Sequence, residues 1–394
     1  MFDIWQSVSE LRQPCLVRPM PEAFLGSDGL VKTKLLKSMD GLLWEHVLMG
    51  FIGWKEPQHE IIDLIPSQKW LNISALQKAV RRGQVQRAIQ FAKQGCQLDA
   101  NHVFRRLAVC ALEDVGIGNF LATACCLAVL GDRKHRREAG DAELAAYLAQ
   151  MLAESPKSRL ACDLLSLVEY NPALKPLVTD WVKALDHDLA QHVSDEALPI
   201  EQKMLATWLL AGTHRFQSGV LPKSNYRPRA PLMRVMANAR MPLILYYIAD
   251  RGAARTSDAL FCSYLQIWHL LKNENEFELI QNKIPASEII GSFPTEAYDV
   301  HTREGKLAVN QFVLALGQLT DNLAPMDMGN AIFRLEGGRL NKEVVHREQR
   351  VIGSKAASLE IFGKLDADEA SIGHLAAQLP TLNDLRRKID ASTF

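Results

Sequence analysis

The chain has 394 residues, 48% of them apolar, which is enough to bury a sizeable core and too hydrophobic for a disordered protein. Lysine plus arginine and aspartate plus glutamate both number 45, which excludes strong global basicity, so any nucleic-acid contact needs a local basic face. Seven cysteines (Cys15, Cys96, Cys110, Cys125, Cys126, Cys162 and Cys262) form no C-x-x-C pair and mostly fall in apolar pattern, so buried thiols are expected in place of disulfides or zinc ligands.

Met1-Phe2-Asp3-Ile4-Trp5 lacks the basic-then-apolar start of a signal peptide, and the longest uncharged apolar run, 120–130, is short for a bilayer. A cytoplasmic protein without a membrane partner is expected. Lys55-Glu56-Pro57 and Ile65-Pro66-Ser67 read as linkers that close an N-terminal helical segment over 1–66. Ala75, Leu76, Ala79 and Val80 then have helical spacing, with Lys78, Arg81 and Arg82 on the opposite face, Ser74 as N-cap and Gly83 as C-cap. A second helix follows over 85–92, closed by Gly95, and Asp99 opens the next, which carries Val103, Phe104, Leu107, Ala108 and Ala111. Residues 133–137 read as a dense basic loop. Helical pattern recurs over 144–152, 159–168, 174–189, 200–210, 232–236 and 242–249, broken by a long loop over 217–231. Residues 273–298 alternate short helical pieces with Pro285, Gly291 and Pro294, and a helix follows over 307–316. The expected fold is all-α, a helical bundle or array, divided at 1–66, 67–240 and 241–394.

Three clusters stand out. They are the run from Ser74 to Gly83 (S-A-L-Q-K-A-V-R-R-G); Arg105-Arg106-Leu107 with Glu113-Asp114-Val115-Gly116; and Pro156-Lys157-Ser158. With Leu221-Pro222-Lys223 and Pro231-Leu232-Met233 further on, they resemble in order and rough spacing the C-terminal helical domain of the replication-associated recombination protein A family, which includes the Werner-helicase-interacting ATPases. The resemblance spans roughly residues 70–233, with Gln77 and Ala79 where the family has histidine and serine. It implies a clamp-loader-collar-like block that follows an AAA+ motor and holds tetramers together. No G-x-x-x-x-G-K-[ST] occurs, since Gly305-Lys306 and Gly363-Lys364 are both followed by leucine, so no ATP hydrolysis and no nucleotide cofactor are expected.

Candidate DNA contacts are Lys78, Arg81, Arg82, Arg105 and Arg106 on the helices, Arg133, Lys134, Arg136 and Arg137 in the basic loop, and Lys223, Arg227 and Arg229 beside Tyr226. The alternative for all of them is an ordinary solvated face. Glu113 and Asp114 read as structural carboxylates that accept from free helix amides or pair with Arg105 and Arg106, ahead of a metal or acid–base role. Lys157 and Ser158, adjacent in sequence, are poorly placed to converge as a nucleophile pair. Asp299, His301, Arg303 and Lys306 read as a phosphate-facing turn, with a helix-capping turn and a metal or base site as the alternatives. His187-Asp188 with His192 lacks the remaining steps of a metal phosphohydrolase, and no metal site is expected.

The functional expectation is a non-catalytic, oligomerising interaction module in DNA replication, recombination or repair. It would contact DNA, an AAA+ ATPase or a single-strand-binding protein. The alternatives are an assembly component of a phage-defence or mobile-element system, and an enzyme with a site near His301.

Overall fold

The structure is a computed structural model that describes residues 18, 24–57, 66–212, 229–256, 259–273, 277–284, 286–316, 325–362 and 375–393. Lys223 and Arg227 lie outside the described residues. The fold is all-α. In chain order the helices are α1 (Thr33–Ile52), α2 (Lys69–Arg81), α3 (Val85–Cys110), α4 (Phe120–Gly131), α5 (Arg133–Ala139), α6 (Asp141–Glu154), α7 (Leu160–Glu169), α8 (Lys175–Trp181), α9 (Asp186–Ser194) and α10 (Ile200–Ala211). They continue as α11 (Ala230–Asn238), α12 (Leu243–Thr256), α13 (Ser263–Asn273), α14 (Arg303–Leu316), α15 (Pro325–Ile332), α16 (Arg347–Phe362) and α17 (Leu379–Thr393).

The described strands form two antiparallel ribbons. β1 (Phe277–Gln281) pairs with β4 (Lys342–His346), Phe277 opposite His346, and β2 (Ile289–Ile290) pairs with β3 (Phe293–Pro294). Neither ribbon follows from the helical periodicity of the sequence.

α3 is the spine, packed against α2 and α6, while α4 packs against α12 and α1. At Asp99 the backbone of α3 leaves helical geometry (φ −164°, ψ 92°), and Oδ1 of Asp99 accepts from the His102 amide at 3.1 Å. Asp99 thus opens a helix inside a longer run, and Lys69 pairs with it at 2.7 Å. Gly95 does not close a helix. It lies within α3, where a Cβ would stand 2.4 Å from Asn72 Nδ2 of α2, so the glycine lets the two helices approach. Ser74 is not an N-cap either, because α2 begins at Lys69. Gly83 does end that helix, at φ +63°.

One apolar core runs from Val31 to Leu359, without a break at 66/67 or 240/241. α12, from the expected C-terminal unit, buries Leu245, Tyr246 and Ile248 in the same core as Phe120 and Leu127 of α4. A second, smaller core gathers Val309 and Phe312 of α14, Met328 and Ile332 of α15, Ile361 of α16 and Leu382 and Ile389 of α17. α2 packs against α3 and α6 of the larger core and against β3 and the Thr295–Ala297 turn, which precede the helices of the smaller core.

Candidate functional site

Residues 71–82 are buried throughout, so α2 is not an amphipathic surface helix. Its cations survive burial because partners from distant parts of the chain meet them. Lys78 Nζ donates to Ser74 Oγ at 3.0 Å and pairs with Asp299 Oδ2. Arg81 is held by Asp114 through Nε, by Glu113 through Nη2 at 2.8 Å, and by the Gly337 carbonyl at 3.1 Å. Arg82 meets Glu296 at 3.2 Å, Ser287 Oγ at 2.9 Å and the Glu336 carbonyl at 3.0 Å. Lys78, Arg81 and Arg82 were expected on an exposed DNA-facing surface; they are internal ion pairs that leave no charge for a phosphate backbone outside.

Glu113 and Asp114 sit on a π-helical segment (Ala111–Val115) that ends at Gly116, where φ is +48°. The arginines that meet these carboxylates are Arg81 and Arg159, in place of the expected Arg105 and Arg106. Arg159 Nη1 lies 3.5 Å from Glu113 and 3.4 Å from Asp114. Burial alone would raise the pKa of Glu113, yet Arg81, Arg159 and Arg106 outweigh it and bring it down to about 2. Arg81 and Arg159 both stack on Phe333, at 5.0 and 5.1 Å from the ring centre. Arg106 donates to Gln77 Oε1 at 3.0 Å, and Gln77 donates on to Glu113 at 3.0 Å. Arg105, exposed, donates to the Thr256 carbonyl.

The Pro156-Lys157-Ser158 segment is a brace. Its backbone exchanges hydrogen bonds with β4 (Lys157 N to Lys342 O, 2.7 Å; Val344 N to Lys157 O, 2.8 Å), and Ser158 N donates to Asp114 O. Lys157 Nζ is buried against the Ala153 and Ser155 carbonyls at the end of α6, turned to a task apart from Ser158. Burial pushes the Lys157 amine down to about 7. Beyond α7, Arg334 bridges Asp163 (3.1 Å) and Glu360 (2.6 Å).

Between these groups lies a polar cleft of about 280 Å³. Trp70, Ser74, Gln77, Lys78 and Arg81 of α2 line one wall; Arg106, Glu113 and Arg159 line its base, and Tyr170, His301, Asn330 and Phe333 complete it. His301 stands exposed at the rim, its ring edge-on to Phe333 at 6.5 Å, while desolvation lowers its pKa below the ordinary value. Asp299 is not part of a phosphate-facing turn. It is buried, binds Lys78 and accepts from the His301 amide at 2.9 Å, so it caps the turn. Arg303 and Lys306 are exposed on α14 and are not among the residues lining the cleft.

The basic stretch at 133–137 is the helix α5, not a loop; Asp132 caps it by accepting from His135 N at 3.2 Å. Arg136 is buried, stacked 4.2 Å over Phe104 and bonded to Asn101. Arg133, Lys134 and Arg137 remain exposed. The Trp44 ring of α1 lies 6.0 Å from that of His135, and α1 also carries exposed Lys34 and Lys37 in its first turns. Arg229 is tied to Asp250 at 3.5 Å. His187 pairs with its neighbour Asp188 on the surface of α9. Among the described residues no three His, Cys, Asp or Glu side chains gather as a metal site.

Sequence reasoning missed Arg159, which directly follows the Pro-Lys-Ser motif, and Phe333, Arg334 and Glu360, whose segments carry no local signal. It also missed Trp70 as a cleft residue. No helix among the described residues is long and apolar enough to cross a membrane. The chain matches no family model, and comparison with curated proteins and with solved structures likewise finds no match.

Proposed function

We propose that this protein is a non-catalytic, oligomerising interaction module of DNA replication, recombination or repair, acting in the cytoplasm. One observation carries the reading. The motif residues Lys78, Arg81, Glu113, Asp114 and Ser158, scattered along the chain, are tied to one another or to distant segments through buried hydrogen bonds and ion pairs. Their partners are one another, other buried side chains such as Asp299, Arg159 and Gln77, and backbone carbonyls, so these potential acids, bases and nucleophiles are engaged in contacts that hold the fold. This supports a structural task for the motifs whose order and spacing resemble a DNA-transaction family.

DNA contact is then assigned to the α5 face, where Arg133, Lys134 and Arg137 stand exposed, away from the core. The alternating cations need no net positive charge elsewhere in the molecule. Self-association is supported by Met49 and Ile52, 71% and 83% exposed one turn apart on α1, an apolar pair that a partner copy would cover. A tetramer, and an AAA+ ATPase or single-strand-binding protein as a partner in trans, extend the same reading. Light scattering of the purified chain with and without single-stranded DNA tests it. An oligomer that gains mass with DNA is expected, and a sharp monomer indifferent to DNA contradicts it.

A further inference from the structure

The cleft beside α2 has features that holding the fold does not explain. Arg159 is more than nine-tenths buried, yet its Nε has no hydrogen-bond partner, and only Nη1 of its guanidinium reaches carboxylates, at 3.4 and 3.5 Å. Among the described residues Arg106 bonds only to the neutral Gln77 and has no carboxylate within ion-pair distance. A buried guanidinium N–H without a partner costs desolvation that a bound acceptor would return. The cleft carboxylates are already engaged: Glu113 by Arg81 and Gln77, Glu360 by Arg334 and Ser166. The spare donors therefore select an acceptor that brings its own negative charge, and a single spare cation suits a single phosphate.

The other end of the cleft is aromatic. Trp70 is 56% exposed at the rim, braced edge-on by His102 at 4.7 Å, with ring surface left for a ligand. Trp70 and Gln77, to which Arg106 donates, both line the cleft from α2, and at the helical rise they stand about 10 Å apart along the axis. That length takes a phosphate at the guanidinium end and a planar base at the indole end. We propose that this cleft binds a nucleoside monophosphate, free or as the terminal nucleotide of a DNA strand, with the phosphate on Arg159 and Arg106 and the base stacked on Trp70. The site differs from the α5 face, and it assigns binding, not turnover.

The test is calorimetric titration of the full chain with deoxyadenosine 5′-monophosphate, adenosine, inorganic phosphate, and one oligonucleotide with a 5′-phosphate or a 5′-hydroxyl. The monophosphate should bind about tenfold or more tighter than adenosine or phosphate alone, because each lacks one half of the contact set. Arg106→Gln and Trp70→Ala, both at half-buried or exposed positions, should each weaken it about tenfold while leaving the melting temperature unchanged. Preference for the 5′-phosphorylated oligonucleotide, lost in Arg106→Gln, identifies a strand end as the source; binding of the free monophosphate alone identifies the nucleotide pool. Replacing Arg133, Lys134 and Arg137 with alanine should leave monophosphate binding intact, which separates this site from the DNA contact proposed above. The assignment is overturned if neither the monophosphate nor the 5′-phosphorylated strand binds the folded protein. It is equally overturned if both variants bind as well as the parent, or if inorganic phosphate binds as tightly as the nucleotide.

Discussion

Lys78 and Asp299, 221 residues apart in the chain, form a buried ion pair that fastens α2 to the segment leading into α14. Burial works against both charges: it lowers the Lys78 pKa despite Asp299, whereas the Asp299 carboxyl is held below its ordinary value by Lys78 and the His301 amide. Such a pair stabilises little relative to well-packed apolar side chains, but breaking it strands a charge inside. Asp299→Asn or Lys78→Met should each cost about 3–5 kcal/mol in urea denaturation. The double variant Lys78→Met/Asp299→Leu should recover most of that loss. Additive losses in the double variant would mean that the two side chains act independently.

Lys157 makes a pH prediction with a definite sign. Its folded pKa, lowered to about 7 by burial, lies below the ordinary 10.5, so between these values the unfolded chain binds the extra proton. Stability should therefore rise with pH above about 7 and be flat with respect to this group below it. The buried thiols of Cys110 and Cys125, whose pKa values desolvation raises, act in the opposite direction above about 9. Between about pH 7 and 9 Lys157 should contribute a gain of about 2–3 kcal/mol. Chemical denaturation across that window should show a rise that Lys157→Met flattens; an unchanged rise in the variant assigns it to another group.

Arg136 should behave unlike its neighbours. It is packed over Phe104 and bonded to Asn101, so Arg136→Ala should destabilise the protein by about 1–3 kcal/mol. Alanine at Arg133, Lys134 or Arg137 should shift stability by no more than about 0.5 kcal/mol each, as exposed side chains do. Melting curves of the four single variants check this; equal shifts at all four positions would place Arg136 on the surface.

The helices were legible because a period of 3.6 is a local property: Asp99 as a helix opener and Gly83 as a helix end both depend on residues within one turn. The burial of Lys78, Arg81 and Arg82 was not legible. A helix with cations on one side resembles a surface helix, and the groups that neutralise these cations include Asp299, Glu296 and the carbonyls of Gly337 and Glu336, more than two hundred residues away. Shorter but still long separations, 69 residues between Phe277 and His346 and 174 between Arg159 and Phe333, concealed β1 against β4 and the meeting of Arg159 with Phe333. At α5, five polar residues in a row read as a loop, because the cap at Asp132 and the contact of Arg136 with Phe104 are tertiary or subtle local features. That Glu113 and Asp114 pair with arginines was legible, while which arginines meet them, Arg81 and Arg159, was not.

The most direct measurement of the central claim is the affinity for single-stranded DNA as a function of salt, in the parent protein and in the variant with Arg133, Lys134 and Arg137 replaced by alanine. Three phosphate contacts on a single strand contribute about −2 to the slope of log K against log salt. The parent should bind with an affinity that falls steeply with salt, and the variant should lose affinity and about two units of slope at unchanged melting temperature. A parent that does not bind DNA at low salt, or a variant that binds with the parent's affinity and slope, would contradict the account.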